Sequence, residues 1–299
     1  MAFSTLKPLG SHNLIRNGVF QIEVSSGPLN FRHGESRGAI LFASLKHVSR
    51  SIVCRNELRD HEERSSANEV KKEIMRCYEI IQRLERGVVY LGSSRMNSDH
   101  PYFLQAVELG REVAILLDCT TWTGAGPGLM DAAAKGAMEA GKPVGGFKIR
   151  KEAGQWTSSN LHPYLPPETY FTCRFFSARK HGLVDAAVRN RESERTAVIV
   201  FPGGIGTLDE VFEMLTLIQL QRLGSEFPVP FVVINYDGFY SKLLGFLEDC
   251  EQWGTVSKGE VESLWKVCSN NLETLNYLAE FYGVPHGKRN YNIKVERLH

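Results

Sequence analysis

The chain has 299 residues, 42% of them hydrophobic and 23% charged, which is enough to bury one sizeable core without a second domain. Its 35 basic and 34 acidic residues give a formal charge of +1, so nothing in the balance favours nucleic acid or an anionic membrane as a partner. Apolar runs are strand-sized, which excludes a membrane span of roughly 18 to 20 residues. We expect a soluble protein.

The six cysteines are scattered along the chain without a C-x-x-C pair. This spacing supports neither a zinc site nor a redox motif, so we expect no metal. Most of the cysteines are expected to be small buried residues in a reducing compartment.

Residues 1–65 differ in composition from the rest of the chain. Serines and basic residues are frequent up to Arg55, and the acids of that stretch are Glu23 and Glu35. Such a segment is typical of an organelle transit peptide, and the alternative is a family-specific extension. A secretory signal is disfavoured because no apolar segment follows the early charges.

Regular patterns begin at residue 66. Apolar residues on one face predict a helix over 67–85, and a buried strand over 88–91 follows. After the turn Gly92-Ser93-Ser94-Arg95, we predict a helix over 99–112 and a second strand over 113–117.

A glycine-rich loop, Thr123 to Met130, opens an alanine-rich helix predicted over 129–141, and a strand begins at 143–147. Residues 149–168 lack periodicity and contain prolines, so we predict a long loop across the mouth of a site. A short strand over 170–172 follows.

The next elements are a helix over 174–188 and a strand that ends at Pro202. A second glycine-rich turn leads into a helix over 208–222. The remaining predicted elements are a strand over 231–235, helices over 239–250 and 260–282, and a flexible tail over 285–299.

Strands that alternate with helices predict an α/β fold: a Rossmann-like, open, mostly parallel sheet with helices on both faces, forming a single domain over 66–284. Right-handed crossovers place every strand-to-helix turn at the same edge, where open α/β sheets bind ligands. We therefore expect Gly92-Ser93-Ser94, the Gly124–Met130 loop and the Gly203–Thr207 loop to converge.

Residues 199–210 carry the most specific signal, because an apolar strand, three glycines and a helix start follow one another directly. Such a junction leaves N–H groups unpaired at the positive end of a helix dipole, which suits a phosphate. Glu210 lies near that anion site and would not help phosphate binding alone, which suggests chemistry on a ribose. The alternative is an ordinary first-turn acid that complements the dipole.

Other phosphate-binding motifs are not met. The spacing of Gly124, Gly126 and Gly128 differs from G-x-G-x-x-G, and glycines at such spacing also serve ordinary turns. There is no G-x-x-x-x-G-K-[ST] sequence either. Arg179-Lys180 is by default a solvated pair, although an arginine fork also suits a phosphate or ribose hydroxyl.

Residues 202–210, Pro-Gly-Gly-Ile-Gly-Thr-Leu-Asp-Glu, resemble the P-G-G-x-G-T-x-x-E signature of the LOG ("Lonely guy") family of cytokinin riboside 5′-monophosphate phosphoribohydrolases, long mislabelled as lysine decarboxylases. The loop 123–130, the pair Arg179-Lys180, the helix 210–219 and the stretch 238–244 resemble further motifs of that family in the same order. The resemblance covers about residues 66 to 284.

The resemblance implies a Rossmann-like fold, a homodimer or higher homo-oligomer with the site near the interface, and no cofactor. It implies cleavage of the N-glycosidic bond of a nucleoside 5′-monophosphate to free base and ribose 5-phosphate. It also makes the plastid the expected destination of the leader, with the cytosol as the alternative.

Carried over residue by residue, the resemblance makes Arg179 and Glu210 the catalytic pair. The expected substrate-binding residues are Gly92, Ser93, Gly124, Gly126, Gly128, Met130, Glu152, Lys180, Gly203, Gly204, Ile205, Gly206, Thr207, Leu208, Asp209 and Thr216. A carboxylate stabilises an oxocarbenium-like state and positions water, while an arginine orients the ribose. No second catalytic carboxylate is evident, and Asp131 and Glu152 are the candidates for helping to protonate the leaving base.

The sequence departs from the short plant members of the family at Ala125, Pro127 and Asp131. That variant looks more like longer bacterial-type members and related nucleosidases, so AMP and GMP stand as alternative substrates. A non-catalytic nucleotide-binding module is a further alternative. Lysine decarboxylation would need a pyridoxal phosphate lysine with its partner acid, and no such context appears.

Overall fold

The structure is a computed structural model that describes residues 67–150, 161–224 and 226–293. The helices are α1 (Ala67–Leu84), α2 (Pro101–Leu117), α3 (Leu129–Glu139), α4 (Phe176–Ala187), α5 (Ile205–Gln219), α6 (Ser241–Gln252), α7 (Glu260–Leu264) and α8 (Asn271–Phe281). Short 3₁₀ helices span Tyr236–Gly238 and His286–Lys288. The strands are β1 (Gly87–Leu91), β2 (Thr120–Thr123), β3 (Val144–Ile149), β4 (Tyr170–Cys173), β5 (Ala197–Val200), β6 (Phe231–Ile234) and β7 (Lys266–Cys268).

The seven strands form one sheet in the order β4-β3-β2-β1-β5-β6-β7. Every neighbouring pair is parallel, and the register pairs Val89 with Trp122 on one side and with Val198 on the other. The strand order reverses between β1 and β5, which is where open parallel sheets form their ligand crevice. The prediction of an α/β, Rossmann-like parallel sheet is confirmed.

Both faces of the sheet are buried, because side chains of successive strand residues point to opposite sides. Val89 and Leu91 of β1 pack with α1 and α4, whereas Val88 and Tyr90 pack with α2, α3 and α8. This two-sided burial explains why β1, β5 and β6 read as uninterrupted apolar runs rather than as alternating ones. It also anchors the loops at the carboxyl edge firmly.

The predicted strand over 113–117 is wrong. These residues form the last turns of α2, which ends where the Asp118 N–H bonds to the Ala114 carbonyl with Asp118 in the left-handed region. The strand is instead Thr120–Thr123, directly before the glycine loop. A short apolar run fits a buried helix end as well as a strand, so the pattern could not separate the two.

The prediction of a single helix over 260–282 is also wrong. It is divided into α7 and α8 by β7, whose Val267 pairs with Val233 at the edge of the sheet. Two side chains cap the start of α8. Asn270, the N-cap, accepts the Glu273 N–H, and the Glu273 carboxylate accepts the N–H of Ser269, one residue before the N-cap.

Part of the predicted flexible tail lies against the domain. Tyr291 and Ile293 pack on the apolar cluster around α2 and α8. The Asn292 carbonyl accepts a hydrogen bond from Arg111, and its N–H donates to Glu112. The predicted extension over 1–65 and residues 294–299 lie outside the described residues. Among the residues that the structure describes, no helix is both long and apolar enough to cross a membrane.

Candidate functional site

A cavity of about 520 Å³ opens at the carboxyl edge of the sheet, beside the point where the strand order reverses. Its walls come from five parts of the chain that lie far apart in sequence. They are Gly92–Arg95 after β1, Met130 of α3, Ile149 at the end of β3, Phe176 and Arg179 of α4, and Gly204, Ile205, Gly206, Thr207 and Glu210 at the start of α5. The predicted convergence of the three loops is therefore seen in the structure.

Hydrogen bonds hold the turn after β1 between the end of β5 and the start of α3. The Ser93 N–H donates to the Pro202 carbonyl at 3.0 Å, and the Ser93 carbonyl accepts the Leu129 N–H at 2.9 Å. Gly128 has a φ of 76°, and a Cβ there would lie 2.2 Å from the Ser93 carbonyl oxygen. Glycine at 128 is thus required both by its backbone conformation and by this close approach.

The start of α5 forms the wall of the cavity that is suited to an anion. Its N-cap is Gly204, which makes no side-chain capping bond, so the first turn keeps its N–H groups at the cavity wall. Nothing lies within 4 Å of the position of a Cβ on Gly204 or Gly206, and Ile205 is 88% exposed at the lip. This is the arrangement that binds a phosphate by backbone N–H groups and the helix dipole.

Arg179 and Glu210 form a buried ion pair across the floor of the cavity. The Arg179 Nη2 atom lies 3.4 Å from Glu210 Oε1, and the two residues are 4% and 5% exposed. The guanidinium lies 3.8 Å from the Met130 sulphur and 5.6 Å from the centre of the Phe176 ring. Because buried charges are retained only where they are paired, this pair is the strongest functional signal in the site.

Gly124 leaves the space that Arg179 occupies. A Cβ on Gly124 would lie 2.1 Å from Arg179 Nη2 and 2.9 Å from the Met130 sulphur. The first glycine loop therefore supports the guanidinium from behind. Ala125 adopts a left-handed φ of 47° in the same loop, and its N–H bonds to the Thr123 hydroxyl at 3.0 Å.

Glu73 of α1 occupies the N-terminus of α4. Its carboxylate accepts the Arg174 N–H at 3.0 Å and the Phe175 N–H at 3.1 Å. A carboxylate of the protein itself therefore lies at the positive end of this helix and binds the two N–H groups that lead into it. What α4 contributes to the cavity is side chains, namely Phe176 and Arg179.

The predicted site residues fall into two groups. Gly92, Ser93, Met130, Arg179, Gly204, Ile205, Gly206, Thr207 and Glu210 line the cavity. The second group, among the described residues, does not: Gly124, Gly126, Gly128 and Gly203 shape the loops behind the wall, Leu208 packs on the core, and Lys180, Asp209 and Thr216 lie on the facing helices. Glu152 lies outside the described residues.

Thr216 lies on the exposed side of α5, where its hydroxyl donates to the Phe212 carbonyl at 2.7 Å. Asp209 is also exposed, and its carboxylate contacts Lys180. Neither side chain belongs to the cavity wall of this chain. The two residues come close to the site in sequence, but the helix turns them away from it.

Four residues of the cavity wall were not predicted as site residues, namely Ser94, Arg95, Ile149 and Phe176. Phe176 lies one helical turn before Arg179, so the spacing of three on one helix face could have suggested it. Ile149 is the last residue of β3, and the rule that ligands bind at strand ends could have suggested it. Together with Met130, these side chains give the cavity an apolar part beside its charged floor.

Asp131, the candidate proton donor, is buried but directed elsewhere. Its carboxylate bonds to the Tyr164 hydroxyl and lies 2.8 Å from Lys135 Nζ. His162 packs against the Tyr164 ring, and burial lowers the pKa of His162 to about 4. These contacts tie the part of the β3–β4 connection that carries His162 and Tyr164 to α3, and no proton donor is assigned.

A second cavity of about 750 Å³ lies at the opposite, amino edge of the sheet. Its arginines serve the ends of neighbouring elements: Arg86 donates to the Asp185 carbonyl, Arg195 to the Leu116 carbonyl and Arg83 to the Glu168 carbonyl. Cations at helix C-termini are a common stabilising arrangement. The negative ends of helices gathered there oppose anion binding, so the smaller cavity at the carboxyl edge is the candidate site. Within the described parts of the chain, no group of three or more His, Cys, Asp or Glu side chains could hold a metal ion.

The family model described as "Possible lysine decarboxylase" matches residues 130–278, which include Arg179 and Glu210. A probable cytokinin riboside 5′-monophosphate phosphoribohydrolase of Oryza sativa subsp. japonica is 29% identical over 175 residues, which is 58% of this chain and 74% of the relative. A cytokinin riboside 5′-monophosphate phosphoribohydrolase of Arabidopsis thaliana is 29% identical over 171 residues, 56% of this chain and 70% of the relative.

Among solved structures, the molybdenum cofactor carrier protein from Chlamydomonas reinhardtii matches with a TM-score of 0.45 at 17% identity, over 67% of this chain and 99% of that one. A likeness at that level carries no argument about function. The family model and the similar plant proteins agree with the sequence motifs and confirm the resemblance of this chain to the LOG family.

Proposed function

We propose that this protein hydrolyses the N-glycosidic bond of nucleoside 5′-monophosphates, releasing free base and ribose 5-phosphate, and that cytokinin riboside 5′-monophosphates are its preferred substrates. The observation that carries the proposal is the buried Arg179–Glu210 pair beside the uncapped N-terminus of α5. An anion site and a paired carboxylate in one cavity match the two ends of a ribose 5-phosphate.

The 5′-phosphate is held by the N–H groups at the start of α5, where the helix dipole favours negative charge. At a rise of about 1.5 Å per residue, Glu210 lies one and a half helical turns beyond those groups. That separation is on the scale of a ribose with its 5′-methylene group. A bound phosphate therefore places the anomeric carbon close to the Glu210 carboxylate.

Bond cleavage leaves positive charge on the ribose ring. The Glu210 carboxylate stabilises that charge and orients the water that attacks the anomeric carbon. Arg179 pairs with the Glu210 carboxylate and orients the sugar. The bond between the anomeric carbon and the base nitrogen breaks with its electron pair moving to the base, the attacking water supplies the new hydroxyl, and a proton is taken up by the base.

The apolar part of the wall, formed by Met130, Ile149 and Phe176, suits a planar base. The preference for cytokinin bases is supported by the similar plant proteins, of which one is a cytokinin riboside 5′-monophosphate phosphoribohydrolase and the other a probable one. AMP and GMP are the competing substrates, because the glycine loop carries Ala125 and Asp131 where the short plant members differ.

The test is to incubate the purified protein with cytokinin riboside monophosphates, AMP and GMP and to chromatograph the free bases. We expect release from at least one cytokinin nucleotide and a loss of about 10³-fold or more for Glu210→Gln. Glu248→Gln, on the exposed face of α6, is the matched control and should keep its rate. If wild type releases no base from any nucleotide, the proposal fails; comparable release from AMP would overturn the cytokinin preference.

The homodimer is also proposed. Large apolar side chains are exposed on α5 and α6, among them Phe212, Leu220 and Phe246. Exposed groups of this kind are typical of surfaces that pair. Light scattering on the purified protein tests it, and a monomeric mass at micromolar concentration would contradict it.

A further inference from the structure

Arg179 and Glu210 come from helices that the sheet does not hold together. Helix α4 follows the edge strand β4 and α5 follows β5, and β3, β2 and β1 lie between those strands. Within the described residues, the backbones of α4 and α5 make few direct contacts. The distance between the two proposed catalytic groups must therefore be set by side chains that link the helices.

Lys180 makes such a link. Its Nζ atom lies 3.0 Å from Asp209 Oδ2 and 2.9 Å from Glu213 Oε2, and its side chain is 19% exposed. Asp209 and Glu213 are four residues apart, so they lie on one face of α5, on either side of the turn that carries Glu210. One ammonium group thus joins α4 to two successive turns of α5, directly beside the Arg179–Glu210 pair.

The Lys180 ammonium group keeps its positive charge near neutral pH. Burial lowers the pKa of Lys180, but the hydrogen bonds to Glu213 and Asp209 outweigh it and raise the pKa above its ordinary value. A raised pKa means that the ion pairs are fully formed below the ordinary lysine range and are lost only as the pH rises above it. The link therefore persists over the whole range in which a nucleotide would be bound.

We propose that Lys180 is a positioning residue, which fixes the separation of Arg179 and Glu210 by tying α4 to α5, and that it does not contact the nucleotide phosphate. The inference rests on the proposed function. One cation between two carboxylates leaves a net negative group, which would repel a phosphate. Lys180 is also outside the set of described residues that line the cavity.

Without the Lys180 ammonium group, two carboxylates on α5 would face α4 unneutralised, and α5 would move away from Arg179. A displacement of about 1 Å at a catalytic group costs on the order of 100-fold in rate. The N–H groups at the start of α5 would be unchanged, because they belong to the helix itself. Turnover should therefore fall while phosphate binding is kept.

The experiment compares wild type, Lys180→Met and Lys180→Arg, using the nucleotide that wild type hydrolyses best. We expect Lys180→Met to lower kcat by about 10- to 100-fold, with KM and the Kd for ribose 5-phosphate, measured by calorimetry, unchanged within about twofold. Lys180→Arg should recover most of kcat, since arginine can bridge both carboxylates. Lys71→Met, on the exposed face of α1, is the matched control.

A double variant, Asp209→Asn with Glu213→Gln, removes the link from the other helix and covers the case in which Lys180→Met does not fold. It should show the same fall in kcat with ribose 5-phosphate affinity kept. A rise of more than tenfold in KM or in the Kd for ribose 5-phosphate on Lys180→Met would identify a substrate contact and overturn the inference, as would an unchanged kcat. Absence of base release by wild type is a different result, which overturns the proposed function and this inference with it.

Discussion

Helices α5 and α8 both follow a strand of the same parallel sheet and begin at the same edge, yet their first turns are built differently. Helix α8 starts with a side-chain cap, in which Asn270 accepts the Glu273 N–H, and the Glu273 carboxylate accepts the Ser269 N–H. Helix α5 starts on Gly204 without a side-chain cap. Position in the fold does not forbid a cap, so the uncapped first turn of α5 is a property of its sequence. It leaves to a ligand the N–H groups that α8 satisfies internally.

At the start of α4, on the same edge of the sheet, the N–H groups are bonded in a third way. Glu73, from a different helix, accepts two N–H groups that precede it. Helix α5 offers uncapped N–H groups of its first turn to the cavity, whereas α4 offers the side chains of Phe176 and Arg179. The proposed division of labour, phosphate on α5 and charge pairing between α4 and α5, follows from this difference.

Among the substitutions considered, Gly124→Ala is expected to have the largest effect on the cavity. The new methyl group would occupy the place of the Arg179 guanidinium, which would have to move away from Glu210. We expect turnover to fall by about 100-fold or more, with a small effect on the melting temperature because a flexible side chain gives way. Steady-state kinetics measure this. Gly245→Ala, where a Cβ meets nothing within 4 Å, is the control, and equal rates for both variants would contradict the role of Gly124.

A milder change gives α5 the cap that α8 has. Gly204→Asp places a carboxylate at the N-cap, in open space and at a φ of −96° that any residue can adopt. We expect the free energy of unfolding to rise by a few tenths of a kcal/mol. The affinity for ribose 5-phosphate, measured by calorimetry, should fall by about tenfold, because the new carboxylate takes the N–H groups and repels the phosphate.

Gly204→Ala separates the effect of capping from the effect of side-chain bulk, since alanine adds a side chain that cannot cap the helix. Its affinity for ribose 5-phosphate should stay within about twofold of wild type. A loss of affinity equal to that of Gly204→Asp would mean that bulk, and not capping, excludes the ligand.

The smallest effect on the site is expected from removing the cap of α8. Asn270→Ala should lower the free energy of unfolding by about 1 kcal/mol, as measured in a urea titration, because the Glu273 N–H loses its partner. Ribose 5-phosphate affinity and turnover should stay as in wild type. A large loss of either would show that the N-terminus of α8 is coupled to the cavity and would weaken the contrast with α5.

The convergence of the three loops could be predicted from the sequence. It follows from the alternation of strands and helices, which leaves a hydrophobic pattern, and from the right-handed crossover that parallel strands share. Val113–Leu117 was assigned to a strand because a buried helix end and a buried strand look alike over five residues. The ion pairs of Lys180 could not be read from the sequence, since they depend on the angle between α4 and α5. Likewise, Thr216 points away from the cavity because of its position around the axis of α5. The signature motif gives spacing along the chain and not which side of the helix faces the cavity.

The contact of Glu73 with the start of α4 has a consequence for the choice of shortened chains. A chain cut to begin at the first strand would lose this carboxylate, and the N–H groups of Arg174 and Phe175 would be released next to the cavity. A second helix end would then compete with α5 for the same phosphate, and nucleotides could bind in an unproductive orientation. Activity measured on chains trimmed beyond residue 73 would therefore understate that of the whole protein.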